Sequence, residues 1–598
     1  MHQKNKDKYI KKIIGLFTKG EIDKCQKEAQ KALRIYPTEP FLFNILGVTH
    51  AALSSFSESI NNYKKAIKLN PGYFEALNNM GVAYNDWKKP ELAIGCFVKA
   101  IEIHSSYAEA FNNLGNSQKE LSDLEDAVKS YEKAILIDPN YIDAMCNLGI
   151  VLGMLERYDS AEGIYKKALE IDSFNHQIQY YSADNLFNSG AYKEARVSLI
   201  SLLEKDQSNP YINNLLGKVL QKEGSVKALK YFKRALKKSI KQDEIYNNIG
   251  SFLYEKNKIR FAKKFFEKAS NQNSHNCEAN INLAYAYLIE KIFDLGWEKH
   301  EYRWRVAPLK TVSWPIKNKD LWEGQENSRV VLWREQGIGD DLLFLGLVPE
   351  AFNRSKSLSV YTDARLIPLC KRSMPGIHFK EYKAKIEGEE FDYHLPMGSL
   401  PRLFRNSEKD FDRTVKGYLK ADSNRVELLR DELGLKGKRV IGISWKSFKG
   451  SNMENKNLDL KELAPVFKGL DVVFLNLQYG DVDKEIREFK KETGIEVLQC
   501  ASVDNREDLD GLAALIELCD LVVSTSNVTI HLAGALAKET WVLLPYVANF
   551  WWLIDRSDSL WYPTLKLYRQ KKFGDWSTVY PGIISELKKK FSINLGIL

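Results

Sequence analysis

The sequence predicts two unlike regions: an α superhelix of short helical repeats over residues 1–295, then an α/β region with two parallel sheets. Three observations predict this. Glycines recur every 34 residues at Gly47, Gly81, Gly115 and Gly149. From Arg329 onward that period is gone, and short β-rich apolar runs alternate with helical stretches. The composition, 44% hydrophobic, 12% aromatic and 28% charged over 598 residues, is that of a folded globular chain and excludes a disordered or collagen-like one.

The period is carried by more than glycine. Tyr63, Phe97, Tyr131 and Tyr165 recur with it, as do Ala66, Ala100, Ala134 and Ala168. The phase continues through Ala183, Gly217, Gly250 and Ala284, with one unit shortened, and residues 7–36 fit a leading unit that ends at Pro37. Small residues suit a close helix crossing, aromatics are expected to fill the gap to the next unit, and Pro71 and Pro139 stop second helices. This pattern resembles the tetratricopeptide repeat, a helix–turn–helix unit. One unit cannot bury its apolar face alone, so units stack into a superhelix with a concave surface.

Two residues before the glycine position stand Asn79, Asn113, Asn147, Asn248 and Asn282, interrupted by Ile45, Tyr181 and Leu215. An amide both donates and accepts, so such a ladder suits an extended peptide backbone. The protein O-GlcNAc transferases have a similar ladder that does this. The alternative is that the amides tie neighbouring helices together; the sequence leaves both open.

A Trp-rich stretch over 296–328, containing GWEKHEYRWRV, is expected to join the superhelix to the α/β region. Strand-like runs then appear at 330–333, 357–362, 391–396, 439–445, 471–478, 495–499, 520–525 and 540–546. Strands separated by helical stretches predict two Rossmann-like lobes, 329–430 and 431–598, with ligands at the carboxyl ends of the strands.

Three clusters fall just after strands. The first is Gln336-Gly337-Ile338-Gly339-Asp340-Asp341, a glycine loop opening a helix, where an acid is either an N-cap or a reactive group. The second is ISWKSFKGSNMENKN (443–457), in which Ser444 and Trp445 lead into Lys446, Lys449 and Lys456; Gln478 ends the next strand. Cations on a loop suit a departing diphosphate, though lysines also simply solvate surfaces. In the third, Ser524–Gly534, Ser526, Asn527, Val528 and Thr529 open an apolar helix carrying His531. This is a helix N-terminus suited to phosphate. Trp551, Trp552 and Trp561 form either a sugar-stacking rim or a core.

With EQGIGDDLLF, WEKHEYRWR and the stretches 520–546 and 551–570, the chain resembles bacterial glycosyltransferases linked to tetratricopeptide repeats. Its C-terminal half is similar to the ADP-heptose:lipopolysaccharide heptosyltransferases, a two-lobed GT-B family. The resemblance implies that Asp340, in the matching Gly339-Asp340 pair, is the general base. It implies donor contacts from Gly337, Gly339, Ser444, Trp445, Gln478, Ser526, Asn527, Val528, Thr529 and His531. One of Lys446, Lys449 and Lys456 would steady the diphosphate. The acid of the late motif is absent here, its place falling at Ser526-Asn527. The resemblance implies no metal and no cofactor beyond a nucleotide-diphosphate sugar as co-substrate.

The expected function is transfer of that sugar to an acceptor, a polypeptide recruited by the repeat groove. The alternatives are an envelope saccharide as acceptor, or a scaffold whose transferase half has decayed. The net charge of +9 is spread thinly, so nucleic acid is not an expected partner. The scattered cysteines lack a CxxC pair, and no apolar run is long enough to cross a bilayer, so a cytoplasmic protein is expected.

Overall fold

The computed structural model describes residues 2–239, 241–312, 314–383, 385–386, 388, 390–448 and 456–591. It contains two compact units, Met1–Ser239 and Ile240–Leu598. The division falls inside the repeat array, so residue 295 marks a change of secondary structure and not the edge of a compact unit.

The first unit is a run of antiparallel helix pairs, from His2–Thr18 with Ile22–Ile35 to Pro210–Lys222 with Ala228–Leu236. The periodic glycine lies under the periodic aromatic of its own pair. A Cβ added at Gly47 would lie 2.5 Å from the Tyr63 ring, and Gly81–Phe97, Gly115–Tyr131 and Gly149–Tyr165 repeat that contact. The aromatics therefore fill the crossing inside a unit, not the gap to the next unit as expected. Each of these rings is fully buried, which stabilises its unit by roughly 1.5–3 kcal/mol. The turn between the two helices takes one left-handed residue per pair: Gly20, Ser54, Lys88, Ser122, Glu156, Gly190 and Gly224.

The second unit opens with two more helix pairs, Gln242–Glu255 with Ile259–Gln272 and Cys277–Ile289 with Phe293–His300. The strands come next: β1 Arg329–Trp333, β2 Ser357–Thr362, β3 His378–Glu381, β4 Tyr393–Pro396, β5 Val440–Ser444, β6 Val473–Asn476, β7 Val497–Leu498, β8 Leu521–Thr525, β9 Thr540–Leu544 and β10 Leu565–Arg569. They form two sheets, β3-β2-β1-β4 and β10-β9-β8-β5-β6-β7, with every pair parallel. Near-continuous burial of β5, β8 and β9 is what a parallel sheet covered on both faces requires.

The Trp-rich stretch lies against the first sheet. Trp304 and Trp314 each pack 5.5 Å from the Trp333 ring, and Leu321 bridges to His394 on β4. Among the described residues no helix is long and apolar enough to cross a membrane.

Candidate functional site

Taken from its edge, the second sheet runs in the doubly wound order 3-2-1-4-5-6, which reverses direction between β5 and β8. The first sheet reverses in the same way between β1 and β4. A reversal opens a crevice at the carboxyl ends of the two strands, because the chain leaving them turns to opposite faces. The described residues of all three sequence clusters fall just after the strands that border those crevices.

On the first sheet, β1 leads through Arg334 and Glu335 to the helix Ile338–Leu345, with Gly337 at its N-cap. The Gly337 N–H donates to Asp340 Oδ2 at 3.3 Å. Asp340 thus does cap this helix end, and it remains half-buried beside the cleft. Burial and the nearby Glu335 carboxylate push its proton affinity up to about 6, against the opposing Gly337 N–H and Arg334. Asp341 faces the other way: it is buried, paired with Arg334 Nε at 2.8 Å, and accepts from Thr362 Oγ1 at 3.2 Å.

Glu335 holds this loop from below. Its carboxylate is paired with Arg303 at 2.8 and 2.9 Å and lies over Gly398, where a side chain would collide with it. Arg303 also binds Glu301 at 2.7 Å and Ser399 at 2.8 Å. Tyr285, stacked on Phe550 at 5.1 Å, lies within reach of the charges of Arg303, Asp340 and Glu335. Sequence reasoning missed Arg303, Glu335 and Tyr285 as site residues. Arg303 lies in WEKHEYRWR and Glu335 opens EQGIGDDLLF, but neither stretch marks the pair, and Tyr285 lies in no motif.

On the second sheet the polar residues bind one another. Gln478 Oε1 accepts from Ser444 Oγ at 3.0 Å and from the N–H groups of Trp445 and Lys446, each at 2.9 Å. Asn527 Nδ2 donates to Ser444 Oγ at 2.7 Å, while its Oδ1 caps the helix Val528–Ala535 by accepting from Thr529 N at 3.0 Å. Ser444, Gln478, Asn527 and Thr529 are all buried. They stitch the loops after β5, β6 and β8 into one wall. Trp445 is turned into the sheet core, where its indole donates to Glu485 at 2.9 Å. Lys446 Nζ is paired with the same Glu485. Lys456 is half-buried, which lowers its proton affinity. Lys449 lies outside the described residues. Ser526 Oγ accepts from the Trp552 indole at 3.0 Å, and Val528 packs on the core. Trp552 and Trp561 are buried core residues, whereas Trp551 is half-buried with its ring 6.1 Å from that of His531.

The two crevices meet. A Cβ added to Gly339 would lie 3.4 Å from His531 Cδ2 and 3.8 Å from Nε2, so the imidazole edge faces the first glycine loop. His531 Nδ1 is 3.1 Å from the Tyr562 hydroxyl, and its ring stacks on Trp552 at 5.7 Å. Burial holds its proton affinity down to about 3, so the ring is neutral. The two sheets are clamped to each other by Arg372 on Asp510 and by the Leu419 N–H donating to the Ala535 carbonyl at 3.0 Å. Among the described residues no three His, Cys, Asp or Glu side chains gather as metal ligands.

The asparagines of the helical repeats bind their predecessors. Asn79 Nδ2 donates to Asn44 Oδ1 at 3.2 Å, Asn113 to Asn78 at 3.1 Å, Asn147 to Asn112 at 3.0 Å, and Asn282 to Asn247 at 2.9 Å. These links tie adjacent repeat units. Asn248 is half-buried on the helix that carries Asn247.

Models of the tetratricopeptide repeat match residues 74–106, 106–173 and 154–219, and a TPR-repeat model matches 47–86. The chain is 30% identical over 313 residues to protein FlbA of Caulobacter vibrioides, a match covering 49% of this chain and 52% of that protein. The chain thus spans about half the length of the curated relative it matches. It is similar to a tetratricopeptide repeat protein from Parabacteroides merdae (17% identity, 47% of this chain, 98% of that one, TM-score 0.34). It is also similar to a thermophilic TPR protein of Thermus thermophilus (19% identity, 30% of this chain, 99% of that one, TM-score 0.27). The N-terminal half carries tetratricopeptide repeats, and a parallel-sheet α/β region succeeds it.

Proposed function

We propose that the α/β region is a glycosyltransferase of the GT-B kind, acting on an acceptor that the repeats recruit. The observation that carries this reading is the meeting of Gly339 and His531, which puts Asp340 where two strand-end crevices converge. An acid with a proton affinity near 6 is mostly ionised at neutral pH yet basic enough to take a proton, which suits a general base. In the reaction the acceptor hydroxyl oxygen bonds to the anomeric carbon and the bond to the diphosphate oxygen breaks. The diphosphate leaves with the electron pair, and the hydroxyl proton passes to Asp340. The loop lysines, Lys446 among them, are the candidates for balancing the charge of the departing diphosphate. The acceptor we favour is a polypeptide, because an extended groove adds binding energy remote from the reacting centre.

One observation favours a second reading, a binding scaffold without turnover. At the position where the resembling family has an acid, Ser526 is engaged by Trp552, and the neighbouring polar side chains bind each other. A melting screen against UDP, GDP, ADP and CMP and their sugar conjugates separates the two. A nucleotide at 100-fold over its dissociation constant should add about 2.7 kcal/mol. Binding followed by donor turnover that Asp340→Asn abolishes supports the transferase; binding with no turnover in either protein supports the scaffold. A fully folded protein that no nucleotide stabilises sinks the transferase.

A further inference from the structure

We propose that the outward face of helix Ala228–Leu236, with the aliphatic side chains beside it, is a docking surface for an anionic membrane. The positive charge of the chain is thin overall but gathers here: residues 192–238 carry eleven bases and four acids, so +7 of the chain's +9. Between Gly224 and Gln242 there is no acid at all. The helix buries Ala228, Phe232 and Ala235 and turns Lys230, Lys233 and Arg234 outward, with Lys227, Lys237 and Lys238 at its ends. All six are exposed, and among the described residues none is paired with a carboxylate. Lys238 instead donates to Ser208 Oγ at 3.0 Å, and Arg234 lies over the Tyr231 ring at 5.5 Å. Lys230 with Arg234 and Lys233 with Lys237 are like charges one turn apart, which oppose the helix they stand on. The corresponding helix of an earlier unit, Leu124–Ile137, mixes the two signs and pairs Lys129 with Asp126.

The preceding unit supplies an apolar complement. On Tyr192–Lys205 the buried residues are Ala195, Leu199 and Leu202, each 33 residues before Ala228, Phe232 and Ala235. Val197 and Ile200 therefore take the outward positions that Lys230 and Lys233 take in the next unit. Val197 is 67% exposed and Ile200 45%, and Val226, beside Lys227 in the chain, is 75% exposed. Arg196 reaches Glu223 at 3.5 Å, which joins the two outward faces and neutralises that acid. A bilayer surface matches this combination: anionic headgroups answer the cations, and the interface takes up aliphatic side chains that are otherwise left in water. A nucleic-acid backbone answers the charge alone. It leaves Val197, Ile200 and Val226 uncovered, and Tyr231, half-buried under Arg234, offers no open ring for a base. Five of the six cations are lysines, flexible point charges that suit a fluid array of headgroups. This surface is independent of the transferase reading.

Sedimentation of the full-length protein with vesicles of phosphatidylcholine, alone or mixed with phosphatidylglycerol, reads the partition directly. Binding to the mixed vesicles and not to phosphatidylcholine alone is expected. It should fall steeply as salt is raised to about 1 M, where charges more than about 3 Å apart are largely screened. A lysine near an anionic surface is worth roughly fivefold in partition, so Lys230→Gln, Lys233→Gln and Lys237→Gln together should lower it on the order of a hundredfold. Val197→Ser with Val226→Ser should lower it several-fold with every charge kept. All five side chains are exposed, so both variants should melt with the wild type. No sedimentation with the mixed vesicles, equal sedimentation with both kinds, or a partition that the lysine variant keeps overturns the proposal. A serine variant that partitions like the wild type removes the argument for a membrane and overturns it too. A DNA duplex that binds more tightly than the vesicles, and that the lysine variant loses while the serine variant keeps, would assign the face to nucleic acid instead.

Discussion

The helical repeats and the paired sheets use the same kinds of residue with opposite economy. In the repeats, a glycine takes the ring of an aromatic about sixteen residues on, and an asparagine reaches the one in the preceding unit, 35 residues back. Both contacts recur from unit to unit, so no single copy is decisive. In the paired sheets each contact exists once and spans far more chain. Ser444 meets Asn527 across 83 residues, and Arg372 meets Asp510 across 138. The difference teaches that damage in the repeats should be local and modest, whereas damage around the meeting of the two crevices should be large.

The sharpest test of that contrast is Arg303→Ala. It leaves Glu335, whose side chain is 3% exposed, as an unpaired buried carboxylate beneath the glycine loop. Breaking a buried pair in this way costs about 3–5 kcal/mol, which urea denaturation of the second unit's transition reads directly. A loss under about 1 kcal/mol would place Arg303 and Glu335 in water and remove the support assigned to the Asp340 loop.

Asp340→Asn should move stability the other way. An aspartate ionises near 3.9 in an unfolded chain, and here its folded value is raised to about 6. A raised carboxyl favours the folded state below the unfolded value, and that advantage is lost as pH rises through the folded one. The wild type therefore carries a penalty at pH 7.5 that the amide avoids, on the order of 1–3 kcal/mol. The variant should melt above the wild type at pH 7.5 and with it near pH 4. An asparagine variant weaker than the wild type at both pH values would mean that the carboxylate is stabilising where it lies. The sign matters because a carboxylate that costs stability where it lies needs a reason other than folding, as the proposed role of general base supplies.

In the repeats, Gly81→Ala pushes a methyl into the Phe97 ring, which would lie 2.5 Å away. Overpacking of this kind costs about 1–3 kcal/mol, and the melting transition of the first unit should fall accordingly. No change would mean that the ring moves aside freely, and that the period reflects something other than this contact.

Much of the architecture is legible in the sequence. The repeat can be seen because every unit meets the same neighbours, so the same residue types recur. Most strands can be seen as apolar runs because a sheet covered on both faces has no polar side to show; the edge strands β3 and β10, only partly buried, do not show in this way. The turn residues are hidden: Ser54, Lys88, Ser122 and Glu156 all take the left-handed conformation, but the stacked helices impose it and no residue type marks it. At the site, Gly339, Asp340 and His531 stand out by their place after strands. Arg303 and Tyr562 do not, because each acts through a partner tens of residues away, and a lone Arg or Tyr carries no spacing to read. Trp445 and Lys446 show the converse: adjacent in a promising loop, they both end on Glu485, a residue with no motif of its own.

The smallest effect is expected at the asparagines, where it is most informative about the repeats. Asn113→Ala removes one amide link, from Nδ2 to Asn78 Oδ1 at 3.1 Å, and leaves Asn78 still bonded to Glu109 at 3.0 Å. A single neutral hydrogen bond contributes about 1 kcal/mol, and the neighbouring links through Asn79 and Asn147 stay intact. The first unit should therefore lose about 1 kcal/mol for one substitution, and about three times that for Asn79, Asn113 and Asn147 together, since the links are separate. Additive losses mean that the amides are staples between units. A melt left unchanged by the triple substitution, together with loss of an extended peptide bound by the wild type, would mean that the same side chains face a partner and that their mutual bonds open when it arrives.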